Sequence, residues 1–371
     1  MSSYSRSINA WTYDNEINTS TRTPVIFNHS ATIDDIVSMA LLSTMSHIDL
    51  LAVTVTFADT IPESAMNLTY KVYKYLNLSC ALGACMEARG YNSFPNFYKI
   101  DSTSASQIPS LESFPNLSPP YLDGMQIMHN LLSKAYSTNK PITLVVTGPL
   151  TAISMLIKKD PMLIKGIDKL IWMGGVIIND KVRQGNVVTS EMVSYSSSIK
   201  LPLISVPPAN TCAEWNVFWD PFATQYILKV ITNIHIFPLN STNKISVQPI
   251  LKMLQHQSTK SYLSRLCYQL YELTTAEPFY RMWNTFTVGF LANLSNILAK
   301  PQYLPVEISL YNHYIHDPPT HKHPEVKNGQ GQGCMIISSK TNVNHHYFYL
   351  DLLPDGIENW YRYFLQQMFL Y

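Results

Sequence analysis

Residues Thr23 to Leu42 read TPVIFNHSATIDDIVSMALL, and this stretch decides the fold. A short apolar run, Pro24 to Phe27, has the length and β-branching of a buried strand, and a helix-period segment follows from Ile33. Asp34 and Asp35 stand side by side at the join, while the neighbouring polar positions carry Asn28, His29 and Ser30.

Working outward, the same alternation recurs. LLAVTVTF is followed by IPESAMNLTYKVYKYL, ITLVVTG by PLTAISMLIKK, and KLIWMGG later by DPFATQYILKV. Apolar runs alternating with helical segments predict an α/β fold, an open and mostly parallel sheet with crossover helices on its faces. In such sheets ligands bind beyond the carboxyl ends of the strands. The segments to inspect are therefore Asn28 to Asp35, Phe57 to Asp59, Thr147 with Gly148, and Gly174 with Gly175. Two stretches interrupt the rhythm, residues 92–120 and 179–210, and both read as long surface excursions. Residues 1–22 read as a polar extension and 23–371 as a single domain.

The chain has 371 residues, 46% of them hydrophobic, enough for a large core. Charged residues make up 14% and the formal net charge is +1, so no global field attracts nucleic acid or an acidic membrane. Without an apolar leader or a membrane-length run, a cytoplasmic protein is expected. The five cysteines are odd in number and scattered, which predicts reduced thiols rather than a disulfide framework or a zinc site. Sequons at Asn67 and Asn240 do not outweigh the missing leader.

For the acidic pair, the plain reading is helix capping, since carboxylates at a helix N-terminus satisfy free N–H groups. The functional reading is a cation or sugar-hydroxyl site. Glu214 and Asn216 lie two apart in NTCAEWNVFWDP; on an extended segment they face the same way and can hold neighbouring hydroxyls. Asp220 before Pro221 reads as an N-cap, and so does Asn284 before its apolar helix.

Taken together, PVIFNHSATIDD, VTGPLTAI, IWMGG, GNV, AEWNVFWDP, FPLNSTN and FYRMWN occur in the order found in the inosine-uridine type nucleoside hydrolases. The sequence resembles that family over about residues 23–352. The resemblance implies an open Rossmann-like α/β sheet and hydrolysis of the N-glycosidic bond of ribonucleosides by a calcium-held water. It also implies a ribonucleoside or ribose as ligand and a homo-oligomer, dimer or tetramer. The family's opening motif, D-x-D-x-x-x-D-D, falls here on Asn28, Ser30, Asp34 and Asp35. By resemblance Asp35 and the Thr147 carbonyl are metal ligands, Asp34 binds ribose hydroxyls, and Glu214, Asn216 and either Asn186 or Asn210 hold the rest of the sugar.

The substitutions are as informative as the matches. Ser30 stands where the family has the carboxylate that both ligates calcium and serves as base, and Asn284 where a further ligating Asp is expected. Trp283 occupies the leaving-group position, where several members carry His; an indole stacks on a base but is no general acid. His29 neighbours Ser30, but adjacent strand residues face opposite sides, which argues against it as a substitute base. Calcium binding is therefore expected to be weak or absent. Two functions follow as expectations: a nucleoside hydrolase, or a catalytically impaired relative that binds ribosides or a partner subunit.

Overall fold

The computed structural model describes residues 22–88, 101–179, 181–182, 185–186, 212–277, 279–310 and 332–370. Among the described residues nine strands form one sheet: β1 (Thr23–His29), β2 (Ile48–Phe57), β3 (Ala81–Glu87), β4 (Ile142–Val146), β5 (Ile167–Met173), β6 (Ile234–Phe237), β7 (Gln302–Ile308), β8 (Met335–Ile337) and β9 (His345–Phe348). Their order is β3-β2-β1-β4-β5-β6-β9-β7-β8. Pairing is parallel from β3 through β9, and β7 runs antiparallel to both β9 and β8. The expected open, mostly parallel α/β sheet is what forms.

Both faces of the sheet are covered, and β1 demonstrates it within three residues. Val25, Ile26 and Phe27 are all fully buried, Val25 and Phe27 in one apolar cluster and Ile26 in another. The side-chain period of two thus feeds two separate cores, which is why this strand reads as a continuous apolar run rather than an alternating one. β4 divides in the same way, with Val145 on the first side and Leu144 and Val146 on the second.

The order reverses between β1 and β4, since the chain first builds outward through β2 and β3 and then returns to the other side of β1. A crevice opens at such a switch point beyond the strand ends. The residues leaving β1 and β4, Ser30 and Thr147, stand on its two sides. Backbone pairing carries slightly past the strands here, with Thr147 N donating to Asn28 O at 3.0 Å.

Four expectations need correction or limits. Cys212 and Cys334 are joined as a disulfide across 122 residues, contrary to the expectation of reduced thiols; Cys80, Cys85 and Cys267 are free. Of the supposed excursion at 92–120, the part from residue 101 is anchored, because Ala105, Ile108 and Leu111 are buried in the first core. The excursion at 179–210 and the extension at 1–22 fall almost wholly outside the described residues. No helix among the described residues is long and apolar enough to cross a membrane.

Candidate functional site

A cavity opens at the switch point, and Ser30, Thr147, Asn186, Glu214, Asn216, Trp283 and Asn284 all line it. These residues come from five separate segments of the chain. Of the two amide candidates, Asn186 lines the cavity and Asn210 lies outside the described residues.

Asp34 and Asp35 lie behind the lining, fully buried, and the reason begins with local helix chemistry. Ala31 turns the chain out of β1 with φ of 65°, and Thr32 becomes the N-cap of the helix Ile33–Ser43. Thr32 and Asp35 form a reciprocal capping box: Thr32 Oγ1 accepts from Asp35 N at 3.4 Å, while Thr32 N donates to Asp35 Oδ2 at 3.0 Å. Asp35 Oδ2 also accepts from Ser30 N and Ser30 Oγ, both at 3.1 Å, and from Thr32 Oγ1 at 3.0 Å. Its other oxygen, Oδ1, accepts from Thr147 Oγ1 at 2.6 Å and from Asn284 Nδ2 at 2.8 Å.

Asp34, expected among the ribose contacts, accepts from the first turn of a second helix. Its Oδ2 accepts from the backbone N–H groups of Asn284 and Thr285, at the start of the helix Trp283–Gly289, at 2.5 and 3.2 Å. Its Oδ1 accepts from Tyr271 Oη at 2.6 Å and Thr285 Oγ1 at 2.5 Å. The adjacent acids therefore tie one helix to its own start and to the start of another. Burial raises the Asp34 carboxyl to about 6 and raises Asp35 too, against the pull of these donors.

The residues at the family's metal positions do not fit calcium. The cation needs six to eight oxygen ligands with unshared electron pairs turned toward it. Ser30 and Asn284 bring no charge and aim donors at Asp35. The Thr147 carbonyl accepts from Asn216 Nδ2 at 3.4 Å, and the same amide donates to Met173 O at 3.1 Å. Among the described residues no group of three or more His, Cys, Asp and Glu is placed to hold a metal ion. His29 offers no replacement base: its ring stacks on Phe27, its Nδ1 accepts from Ala31 N at 3.0 Å, and burial lowers its pKa to about 3.

The opposite wall is built differently. Glu214 is the N-cap of the short helix Trp215–Trp219, so Glu214 and Asn216 share the first turn of a helix rather than an extended segment. Glu214 accepts from Gly175 N at 2.8 Å and Asn216 N at 3.0 Å. Gly175 has φ of 80°, and a Cβ there would collide with Met335, so the close approach of this N–H requires glycine. Burial raises the Glu214 carboxyl to about 7. Asn186 supports the same turn, its Oδ1 accepting from Trp215 N at 3.2 Å.

Trp283 forms the outer rim, where its Nε1 donates to Asn243 Oδ1 at 2.7 Å and its ring meets Tyr280 edge-on at 5.1 Å. The sequence reading missed Glu277, Phe279 and Tyr280 as lining residues, because they sit in an irregular segment with no periodic signal. Asp59 also lines the cavity. Its place after β2 was a legible signal, although its role was not. Thr60 beside it donates from Oγ1 to Ser30 O at 2.7 Å, joining that loop to the end of β1.

Comparison with known proteins agrees with this architecture. Residues 25–340 match the family described as inosine-uridine preferring nucleoside hydrolase. Nucleoside hydrolase 4 of Arabidopsis thaliana is 27% identical over 212 residues, 55% of this chain and 35% of that protein. The pyrimidine-specific ribonucleoside hydrolase RihA of Shewanella oneidensis is 25% identical over 230 residues, 60% of this chain and 61% of that protein. The chain thus spans less than two thirds of either relative. The crystal structure of an inosine-uridine preferring nucleoside hydrolase from Bacillus anthracis superposes with a TM-score of 0.72 at 23% identity, covering 93% of this chain and 99% of that one. A purine-preferring ribonucleoside hydrolase from Gardnerella vaginalis gives 0.65 at 14% identity, covering 94% and 100%.

Proposed function

The chain belongs to the inosine-uridine preferring nucleoside hydrolase family, and from that premise we propose that it binds ribosides in the switch-point cavity without the family's calcium chemistry. One observation carries this reading: both oxygens of Asp35 are taken up by protein donors, including Asn284 Nδ2 and Thr147 Oγ1. A carboxylate so occupied has little to offer a cation whose affinity depends on ligand charge. The sugar-binding groups support the other half of the proposal. A carboxylate such as Glu214 can accept from hydroxyls, and the amides of Asn186 and Asn216 can both donate and accept.

A second reading, a slow N-glycosidase working with carboxylates alone, draws on Glu214. A carboxyl near 7 inside a cavity is suited to proton transfer at neutral pH. Base release distinguishes the two. Under the first reading the natural protein liberates no base from inosine or uridine, with calcium or with chelator. The double variant Ser30→Asp with Asn284→Asp then gains calcium affinity of roughly 10⁻⁵ M or tighter and some base release. Each single variant should gain less, because a metal shell acts as a unit. Rapid base release by the natural protein, abolished by Glu214→Gln and indifferent to chelator, would establish the second reading in place of the first.

A further inference from the structure

Six Asn-x-Ser/Thr tripeptides, the acceptor pattern for an N-linked glycan, fall in the described residues, at Asn28, Asn67, Asn77, Asn116, Asn240 and Asn293. The packed fold sorts them. Asn28 and Ser30 are both buried, with Asn28 Nδ2 donating to Thr54 Oγ1 and Thr56 Oγ1, each at 3.0 Å. Asn240 and Thr242 are buried as well; Asn240 accepts from Ile177 N at 2.9 Å and donates to Ile177 O at 2.8 Å. At Asn67 the hydroxyl partner, Thr69, is fully buried and donates to Ala65 O at 2.8 Å. Pro119 restricts Ser118, the hydroxyl partner of Asn116, to extended backbone. Asn77 with Ser79 and Asn293 with Ser295 differ, because all four residues are exposed. Asn77 directly follows the C-cap of the helix Pro62–Tyr75 with φ of 50°, and Asn293 closes the turn Phe290–Ala292 with φ of 55°. The left-handed turn accounts for an asparagine at each place. It does not account for the exposed serine two residues on.

A second observation is independent of this motif. Cys212 and Cys334 are bonded, with their Cα atoms 5.1 Å apart, a separation that suits a disulfide. Such bonds persist in oxidising compartments, the lumen of the endoplasmic reticulum among them, and are rare where glutathione keeps thiols reduced. That lumen is also where glycans are joined to asparagine. We propose that the chain folds in the secretory pathway and carries N-linked glycans at Asn77 and Asn293.

The donor is a lipid-linked oligosaccharyl diphosphate. The asparagine Nδ2 forms a bond to C1 of its reducing-end sugar and gives one proton to a base of the transferring enzyme. The bond from C1 to the diphosphate oxygen breaks, and its electron pair leaves with the lipid diphosphate. The product is bulky and hydrophilic and needs a site on the surface, away from packed neighbours. Both positions meet that requirement at the end of the sheet opposite the cavity. Asn77 lies in the turn before β3 begins at Ala81, and His47, just before β2, meets Leu291 O at 2.9 Å, two residues before Asn293. The cavity opens beyond the other ends of these parallel strands, so glycans here leave its mouth clear.

The test takes the natural protein from its own cells and treats it with peptide N-glycosidase, which releases the glycan and leaves aspartate in place of the modified asparagine. Intact mass should fall by two glycans, and peptide mapping should find the conversion at Asn77 and Asn293, with Asn28 and Asn240 unchanged. Ser79→Ala and Ser295→Ala, both at exposed positions, should each remove one glycan. Alkylation of the denatured, unreduced protein should label the three thiols of Cys80, Cys85 and Cys267. Absence of glycan from both Asn77 and Asn293, or a glycan on Asn28 or Asn240, would overturn the proposal. Labelling of all five cysteines would overturn it too, since the oxidising compartment is then lost as a premise. None of these outcomes depends on whether the cavity binds a riboside.

Discussion

Asp35 and Glu214 are both buried acids at the starts of helices, Asp35 behind the cavity lining and Glu214 within it, and their surroundings differ in kind. Asp35 is held by four side-chain donors, from Ser30, Thr32, Thr147 and Asn284, together with two backbone N–H groups. Glu214 accepts from backbone N–H groups at its own helix start and from Gly175, and it remains part of the cavity lining. A carboxylate satisfied by side chains from three segments acts as a structural joint. One satisfied by its own helix keeps capacity for a ligand. The first wall has turned its acids inward, and the second presents them.

The largest expected effect breaks the first wall. Asp35→Ala removes the acceptor for six donors and should lower stability by roughly 3–5 kcal/mol, the range for leaving buried polar partners uncompensated. Urea unfolding measures it, and a loss below about 1 kcal/mol would show that the network is not a joint.

The next effect concerns pH on the second wall. Glu214 has a folded pKa of about 7, above its ordinary 4.5. The folded protein therefore holds this proton more tightly than the unfolded chain does. Its contribution to stability is fully present below pH 4.5 and is lost as pH rises to about 7. Asp34 has the same sign between 3.8 and about 6. The buried histidines His29, His235 and His346, all lowered by desolvation, act oppositely as pH falls below 6.5. The difference between Glu214→Gln and the natural protein isolates the glutamate. Relative stability of the variant should rise by about 3 kcal/mol from pH 4.5 to above 7. A flat difference would mean that Glu214 ionises without cost, contrary to the contrast drawn above.

The smallest effect lies at the rim. Trp283→Phe removes the hydrogen bond to Asn243 but keeps an aromatic platform, and should cost about 0.5–1.5 kcal/mol in thermal or urea unfolding. A larger loss would make Trp283 part of the core.

How much of this was legible in the sequence follows from which residues have local signals. The sheet was legible because strands buried on both faces are continuous apolar runs, as in Val25 to Phe27. The cavity residues Ser30, Thr147, Glu214, Asn216, Trp283 and Asn284 were legible as motif positions. The destinations of Asp34 and Asp35 were only half legible. Capping within the helix Ile33–Ser43 is local, but Asp34 meets Asn284 and Thr285 some 250 residues away, and only the packed fold brings them together. The Cys212–Cys334 pair was hidden for the same reason, since spacing carries no record of a contact across 122 residues. Glu277, Phe279 and Tyr280 come from an irregular segment, where no periodicity marks a face.

The central claim is that Asp35 has exchanged a metal for protein donors, and calcium titration tests it most directly. Isothermal calorimetry of the natural protein should give no saturable heat below millimolar calcium, while the Ser30→Asp, Asn284→Asp variant gives a one-to-one isotherm that Asp35→Asn abolishes. A stoichiometric micromolar calcium site in the natural protein would contradict the account.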